Sequence, residues 1–524
     1  MIPGQWPVSD ADNRTTLLAH ALSLTALHGP VPWPGGGNPL PDTLSGPREF
    51  LNSIVLDGIR THHFAVTSES PPATTLISAV TEAVTAGDPA VTAALHDRLA
   101  ECRALDVADD LVRELRELDL PAESLRTLAR DLTEHGTRRD AVALGIVMLG
   151  VAGDARDRDL LLLLGGLEDL TLYCAVALAN TQPDRDPALH ELAQRVDGWG
   201  RIHVVERLKG TQDPAIKAWL LRGGFRNGVL NEYLAHLAAT TGGLHDALLA
   251  PDVDAELLDG AADILVALAC TDGPASSIRD YADALSVLGR FGELLADAPP
   301  TLTRISAARS LKRLLNEPPS EPDWPASDVS QLLDRYSALL EHPAWSDHVR
   351  SILASPGSDF TFNRALSCSE AVGVDAYPRA MARLRHLPAA PFVWSWVAAR
   401  APGPDIADLA LLAGRLLPVD EIASGPRPDH PISGTTDDYI LAIVLNRLGP
   451  DQLDAARPLI RIALRGRAVR LRRIGMRSVT TVFGENPPAE ILGWVDASAA
   501  IEPDDELRRE LSELLERARS TDAS

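Results

Sequence analysis

From about residue 46 onward the chain repeats one pattern. Apolar residues recur every three or four positions for 10–17 residues, a short break rich in Gly, Asp, Pro and Thr follows, and the pattern resumes. That spacing paints one face of an α-helix, and no stretch holds the period of two that a half-buried strand needs. Residues 1–45 read differently. Pro and Gly punctuate them, Pro34-Gly35-Gly36-Gly37-Asn38-Pro39 forms a loop, and one helix is expected around Arg14–Leu27. A charged helix over about Asp504–Arg517 closes the chain and suits a polar end cap.

One signature opens helices. Asp88-Pro89-Ala90, Asp186-Pro187-Ala188 and Asp213-Pro214-Ala215 each place Asp where it caps the free N–H groups of a first turn. Pro then takes the first helical position, where its missing N–H costs nothing. Starts at Asp157, Asp186 and Asp213 lie just under thirty residues apart, the length of a helix, a turn and a second helix. Such a pair cannot bury an apolar face alone, but stacked pairs can. The fold class expected is therefore all-α: an α-solenoid of HEAT- or armadillo-like helix pairs. The organisation expected is a loop-rich segment over 1–45, a repeat block over 46–316, a Pro-rich linker over 317–326 and a second block over 327–520. A second Pro-rich loop runs from Ser424 to Pro431.

Composition agrees with helices. Hydrophobic residues make up 45% of the 524, but aromatics only 4%, so Leu and Ala carry the apolar load. A β-protein would draw on Val, Ile, Thr and aromatics instead. There are 73 acidic and 49 basic residues, a net charge of −24, and Lys209, Lys217 and Lys312 are the only lysines. That balance disfavours nucleic acid and anionic lipid as partners. Cys102, Cys174, Cys270 and Cys368 stand singly in apolar contexts and are expected as buried, reduced thiols. The N-terminus lacks the charged and apolar regions of a signal peptide. The longest apolar stretch, Ala141–Gly153, is too short to span a bilayer. A cytoplasmic location with no membrane partner follows as the expectation.

Catalytic signatures are missing. No GxSxG elbow, Walker A loop or strand-borne GxGxxG occurs. His190-Glu191-Leu192-Ala193-Gln194 begins like a zincin helix, but Gln194 stands where the second zinc ligand belongs. Asp154, Asp157 and Asp159 are close carboxylates of the kind a helix N-terminus attracts. No metal and no cofactor is expected.

Three segments depart from the Leu/Ala background. The first, 198–236, concentrates Trp199, Arg201, His203, Glu206, Arg207, Arg222, Arg226, Asn227, Asn231 and Glu232. On helices, His203 and Arg207, Asn227 and Asn231, and Glu232 and His236 would be neighbours at i, i+4. These residues form either a polar groove, whose arginines grip a carboxylate or phosphate, or a set of pairs between adjacent helices. The second segment is Pro391-Phe392-Val393-Trp394-Ser395-Trp396. Its two tryptophans point to different sides of a helix, so either both pack in cores or one stays exposed as a contact anchor. The third is basic: Arg457, Arg461, Arg465, Arg467, Arg470, Arg472, Arg473 and Arg477 within 21 residues. It reads as a docking patch for nucleic acid or an acidic partner, or as a face paired with acidic neighbours.

The run Trp199-Gly200-Arg201-Ile202-His203, with Glu206-Arg207-Leu208, Ile216-Lys217, Trp219-Leu220-Leu221 and Asn227 through Asn231-Glu232-Tyr233-Leu234, resembles a family of bacterial helical-repeat proteins often labelled limonene hydroxylase. The resemblance spans about forty residues. It implies a helical repeat, and the family's label implies terpene oxidation, which requires haem, flavin or non-haem iron. No cysteine sits in a Gly-rich haem-ligand loop, and spacing reveals no His/His/carboxylate triad. No catalytic residue is carried over.

Three functions are weighed. The first is a scaffold binding a partner protein or peptide on the concave face of the solenoid. The second is a HEAT-like nucleic-acid-binding or repair protein using Arg457–Arg477. The third is an enzyme with its site in 198–236, where His203 would serve as acid or base.

Overall fold

The computed structural model describes residues 14–43, 73–271, 273, 275–317, 324–427 and 434–522. Segments 44–72 and 318–323, which hold parts of the expected first block and linker, and 428–433 lie outside the described residues. Among the described residues there are twenty-eight α-helices and no strand, so the chain is all-α with its helices packed in tandem. Two compact units divide it: 1–298 with 310–336, and 299–309 with 337–524.

In the first unit helices pack on the next or on the next but one. Arg139–Ala152 packs on Glu168–Thr181, which packs on Gly198–Glu206, then Glu232–Gly242, then Ala255–Leu268. Arg185–Gln194 fills the space between the second and third of these. Two rows of helices sharing one continuous apolar interior are what a solenoid of helix pairs requires. The second unit does the same. Asp359–Ser369, Pro391–Arg400, Thr436–Leu445 and Val469–Phe483 form one row. Leu453–Leu464 and Ala489–Ile501 pack beside it.

The helix Arg139–Ala152 shows why the longest apolar stretch is so apolar. Ala141, Val142, Ala143, Leu144, Gly145, Ile146, Met148, Leu149 and Gly150 are all buried. A helix surrounded on most sides needs apolar residues all round. Its glycines also allow close approach: a Cβ on Gly145 would stand 2.9 Å from Thr133 Oγ1. Among the described residues no helix is long and apolar enough to cross a membrane. The closing helix, Asp505–Asp522, buries Leu507, Leu511, Leu514 and Leu515 and turns its charges outward.

Two of the three Asp-Pro signatures cap as expected. Asp88 accepts from Ala90 N–H at 2.8 Å, and Asp213 from Ala215 and Ile216 at 2.8 and 3.2 Å. Asp186 does not cap. Its helix starts one residue earlier, at Arg185, so Asp186 sits inside the first turn. Cys102, Cys174 and Cys368 are buried, whereas Cys270 is exposed, because its helix ends at Leu268 and it stands in the following turn. Trp394 and Trp396 are both buried, at 0% and 8% exposure, since Pro391–Arg400 is flanked by helices on two sides. The contact-anchor alternative therefore has no exposed tryptophan to use.

Several ion pairs between helices share a sequence interval of about thirty residues, while others, such as Arg226–Asp263 and Arg335–Glu293, span 37 and 42. Arg126 grips Asp157, Arg222 pairs with Asp254, Arg400 with Glu370, Arg467 with Asp438, Arg472 with Glu502 and Arg473 with Glu506. The partners lie 29 to 33 residues apart. The interval matches the spacing of helix starts read from the sequence.

Candidate functional site

In the 198–236 stretch most polar side chains are held by the fold. Gly198–Glu206 is a nine-residue helix that buries Trp199, Ile202 and His203. The Trp199 ring packs on Tyr233 with centroids 5.1 Å apart. Arg201 donates from Nε to the Val196 carbonyl at 2.9 Å and lies over the Trp219 ring at 5.6 Å. Burial pulls its guanidinium below the usual arginine value, with Asp197 opposing. Arg207 donates to the His203 carbonyl one turn back, at 2.6 Å. Glu206 stands at the last position of the same helix.

The next residues form a turn rather than the expected helix. Asn227 and Asn231 are not i, i+4 neighbours on a helix, because 226–231 is irregular. The Asn227 side chain stitches that turn: Oδ1 accepts from Val229 and Leu230, and Nδ2 donates to the Phe225 and Leu230 carbonyls. Asn231 precedes the helix Glu232–Gly242 without capping it, and Glu232 occupies that helix's first turn. Arg222 and Arg226 reach the adjacent helix, with Asp254 and Asp263 at 2.7 Å each. The residues thus come together in sequence but point to several places.

The basic segment behaves alike. Arg472 and Glu502 form a buried bidentate pair at 2.6 Å. Arg467 holds Asp438 and Thr435. Arg473 meets Glu506 and Asp504. Arg457 approaches Glu490, and Arg461 lies over Trp494 at 5.5 Å. Arg465, Arg470 and Arg477 remain exposed.

What the sequence left unmarked is a cavity of about 350 Å³ beside the start of the first stretch. Pro32, Trp33, Gly35 and Gly36 line it from the N-terminal loop, and Gly166 and Glu168 from the start of Glu168–Thr181. Arg195, Val196, Asp197 and Gly198 complete it. The loop is anchored locally. Trp33 Nε1 donates to the Gly29 carbonyl at 3.0 Å, and Asn38 Nδ2 to Asp169 at 3.1 Å. Asp42 receives Arg139 at 3.0 Å.

Glu168 sits between two glycines that both hold positive φ: Gly36 at 63° and Gly198 at 60°. A Cβ on either would come within 2.5 Å of a Glu168 carboxylate oxygen. Only glycine allows the backbone this close, and only glycine takes this φ without strain. Oε1 accepts from Trp199 N–H at 3.2 Å, so Glu168 caps the Gly198–Glu206 helix from outside. Burial pushes its carboxyl up to about 7, and Asp169 and Asp197 add to the rise against the N–H groups of Trp199 and Gly200. A carboxyl balanced near neutrality, inside a cavity, can take up or release a proton or meet a cation. The sequence signal was the glycines: Gly35-Gly36-Gly37, Gly165-Gly166 and Gly198 in a Leu/Ala chain. Nothing in the sequence shows that they converge.

The acidic trio is accounted for otherwise. Asp157 is fully buried and receives Arg126 at 2.7 and 2.8 Å and Arg130 at 2.8 Å. Among the described residues no cluster of three or more His, Cys, Asp or Glu is arranged to hold a metal ion. Gln194 bonds His190 at 2.9 Å across one helical turn.

No protein-family model and no curated protein matches this chain. A solved structure described as a circular tandem repeat protein with novel repeat topology and enhanced subunit contact surfaces is similar to it at 16% identity. The match covers 86% of this chain and 94% of that one, with a TM-score of 0.15. At that score the fold assignment rests on the helices themselves.

Proposed function

We propose that the chain is a helical-repeat scaffold that binds a partner protein or peptide on the surface of its stacked helices. The supporting observation is where the charged side chains of the two polar segments go. Arg222, Arg226, Arg467, Arg472 and Arg473 are spent on carboxylates of neighbouring helices. They serve to hold the stack, and a stack built this way offers a broad, rigid surface. On that surface Leu27 in the first unit and Phe360 in the second are 76% and 70% exposed. A partner that covers them would remove their apolar area from water, which favours association.

The test is affinity purification of the tagged chain from its native cells, with Leu27→Asp and Phe360→Asp compared at equal helix content. The scaffold predicts one protein retained in fixed stoichiometry and lost from at least one variant. Recovery of nucleic acid alone, released by salt, would overturn it in favour of the exposed arginines of the basic segment.

A further inference from the structure

The cavity under the N-terminal loop combines three features. It has a half-buried carboxylate, Glu168, whose second oxygen faces the loop at Gly36. An exposed carboxylate, Asp197, lines the same cavity. The buried indole of Trp33 forms a wall. The one arginine that lines the cavity, Arg195, is engaged with Glu191, four residues back. Asp169 is satisfied by Arg139 and Asn38. Among the described residues neither Glu168 nor Asp197 forms an ion pair with an arginine, and Arg201 meets Asp197 only through space.

From this geometry we infer that the cavity binds a small organic ammonium ion, its charge set against Glu168 and Asp197 and its carbon groups against Trp33. The volume of about 350 Å³ falls at the lower end of small-molecule sites, which suits a metabolite-sized amine. An aromatic wall beside carboxylates is the arrangement that recognises alkylammonium groups. An anion is disfavoured. The helix N-terminus that would receive it is already occupied by the Glu168 carboxylate. A bare divalent metal is disfavoured too, since it calls for six or more oxygen ligands and two carboxylates supply too few.

Binding should depend on pH through Glu168. The charged groups around it are Asp169 on its own helix, Asp197 before the next, and Arg195 and Arg201 nearby. The Pro34–Gly37 turn brings none. With a carboxyl that titrates at about 7, the ionised fraction rises about tenfold between pH 6 and pH 8. Affinity for the cation rises by the same factor.

The experiment is calorimetric titration of the full chain with tetramethylammonium, with neopentyl alcohol as a neutral analogue of similar bulk and with Mg²⁺. The expected result is saturable binding of tetramethylammonium alone, about tenfold tighter at pH 8 than at pH 6. Glu168→Gln should lose at least tenfold in affinity and all the pH dependence, and Asp197→Asn should lose severalfold. Both variants are checked by circular dichroism for unchanged helix content. Equal binding of the neutral analogue, equal binding by Glu168→Gln, tighter binding of Mg²⁺, or no saturable binding at pH 8 would each overturn the inference. None of these outcomes bears on whether a partner protein covers Leu27 or Phe360.

Discussion

Asp157 and Glu168 stand eleven residues apart in the same unit, both at helix starts and both withdrawn from water, yet burial leaves them in opposite states. Asp157 has no exposed surface, and its carboxyl is nevertheless lowered. Burial alone would raise it, but two arginines and the Asp154 N–H more than reverse the effect. Glu168 has two backbone N–H groups and no arginine, so burial wins and its carboxyl rises to about 7. The partner a carboxylate meets, more than its depth, decides its charge. Asp157 is thus a fastener between repeats, and Glu168 is a group left available. Asp438 and Glu502 in the second unit belong with Asp157, each buried against an arginine.

The comparison breaks most sharply where a fastener is cut. Arg472→Ala leaves Glu502 buried without its bidentate partner, and about 3–5 kcal/mol of stability should disappear. Arg126→Ala should cost somewhat less, because Arg130 still holds Asp157. Denaturant midpoints followed by circular dichroism measure both. Losses below about 1 kcal/mol would show the pairs to be incidental.

The second effect is on pH dependence, and the two carboxyls have opposite signs. Glu168 holds its proton more tightly folded than unfolded. Its contribution is therefore fully present below the unfolded value near 4.5 and is lost as pH rises through about 7. The loss amounts to roughly 3.5 kcal/mol at most, at about 1.4 kcal/mol per pKa unit. Asp157 contributes above the unfolded carboxylate range, and its contribution is lost as pH falls through its lowered folded value. Thermal melts between pH 4.5 and 8.5 should show wild type weakening with rising pH and Glu168→Gln staying flat. A variant as pH-sensitive as wild type would remove Glu168 from the account.

Smaller is the effect of crowding Glu168. Gly198→Ala places a methyl group 2.5 Å from Oε1 at a φ of 60°, at a cost of about 2 kcal/mol. Gly210→Ala serves as its control, because that glycine has a similar φ and open space around it. The difference in melting temperature between the two isolates the contact from the backbone strain. Smallest is Arg226→Ala, which removes an exposed pair with Asp263 and should change stability by less than about 1 kcal/mol.

The sequence made the helices legible and the site much less so. Three- and four-residue spacing announced the elements, and Asp88 and Asp213 announced two of their starts. Even the repeat interval was readable, because the side chains that pair repeat by repeat follow it. The 198–236 cluster was visible as composition, but composition cannot say which way a side chain points. Arg222 and Arg226 leave for the next helix, while Asn227 folds back on its own turn. Glu168 was invisible for the converse reason. It is an ordinary glutamate at an ordinary helix start, and only a loop more than 130 residues earlier in the chain makes its surroundings special.

The ion pairs set about thirty residues apart also bear on how the molecule would yield to force. Each pair joins one repeat to the next and to nothing further along. Pulled by its ends, a chain fastened this way peels from a terminus rather than rupturing as a whole. Every clasp that opens would release about thirty residues, roughly 100 Å of extended polypeptide. The extension trace of a single molecule would then rise in steps wherever these clasps stand.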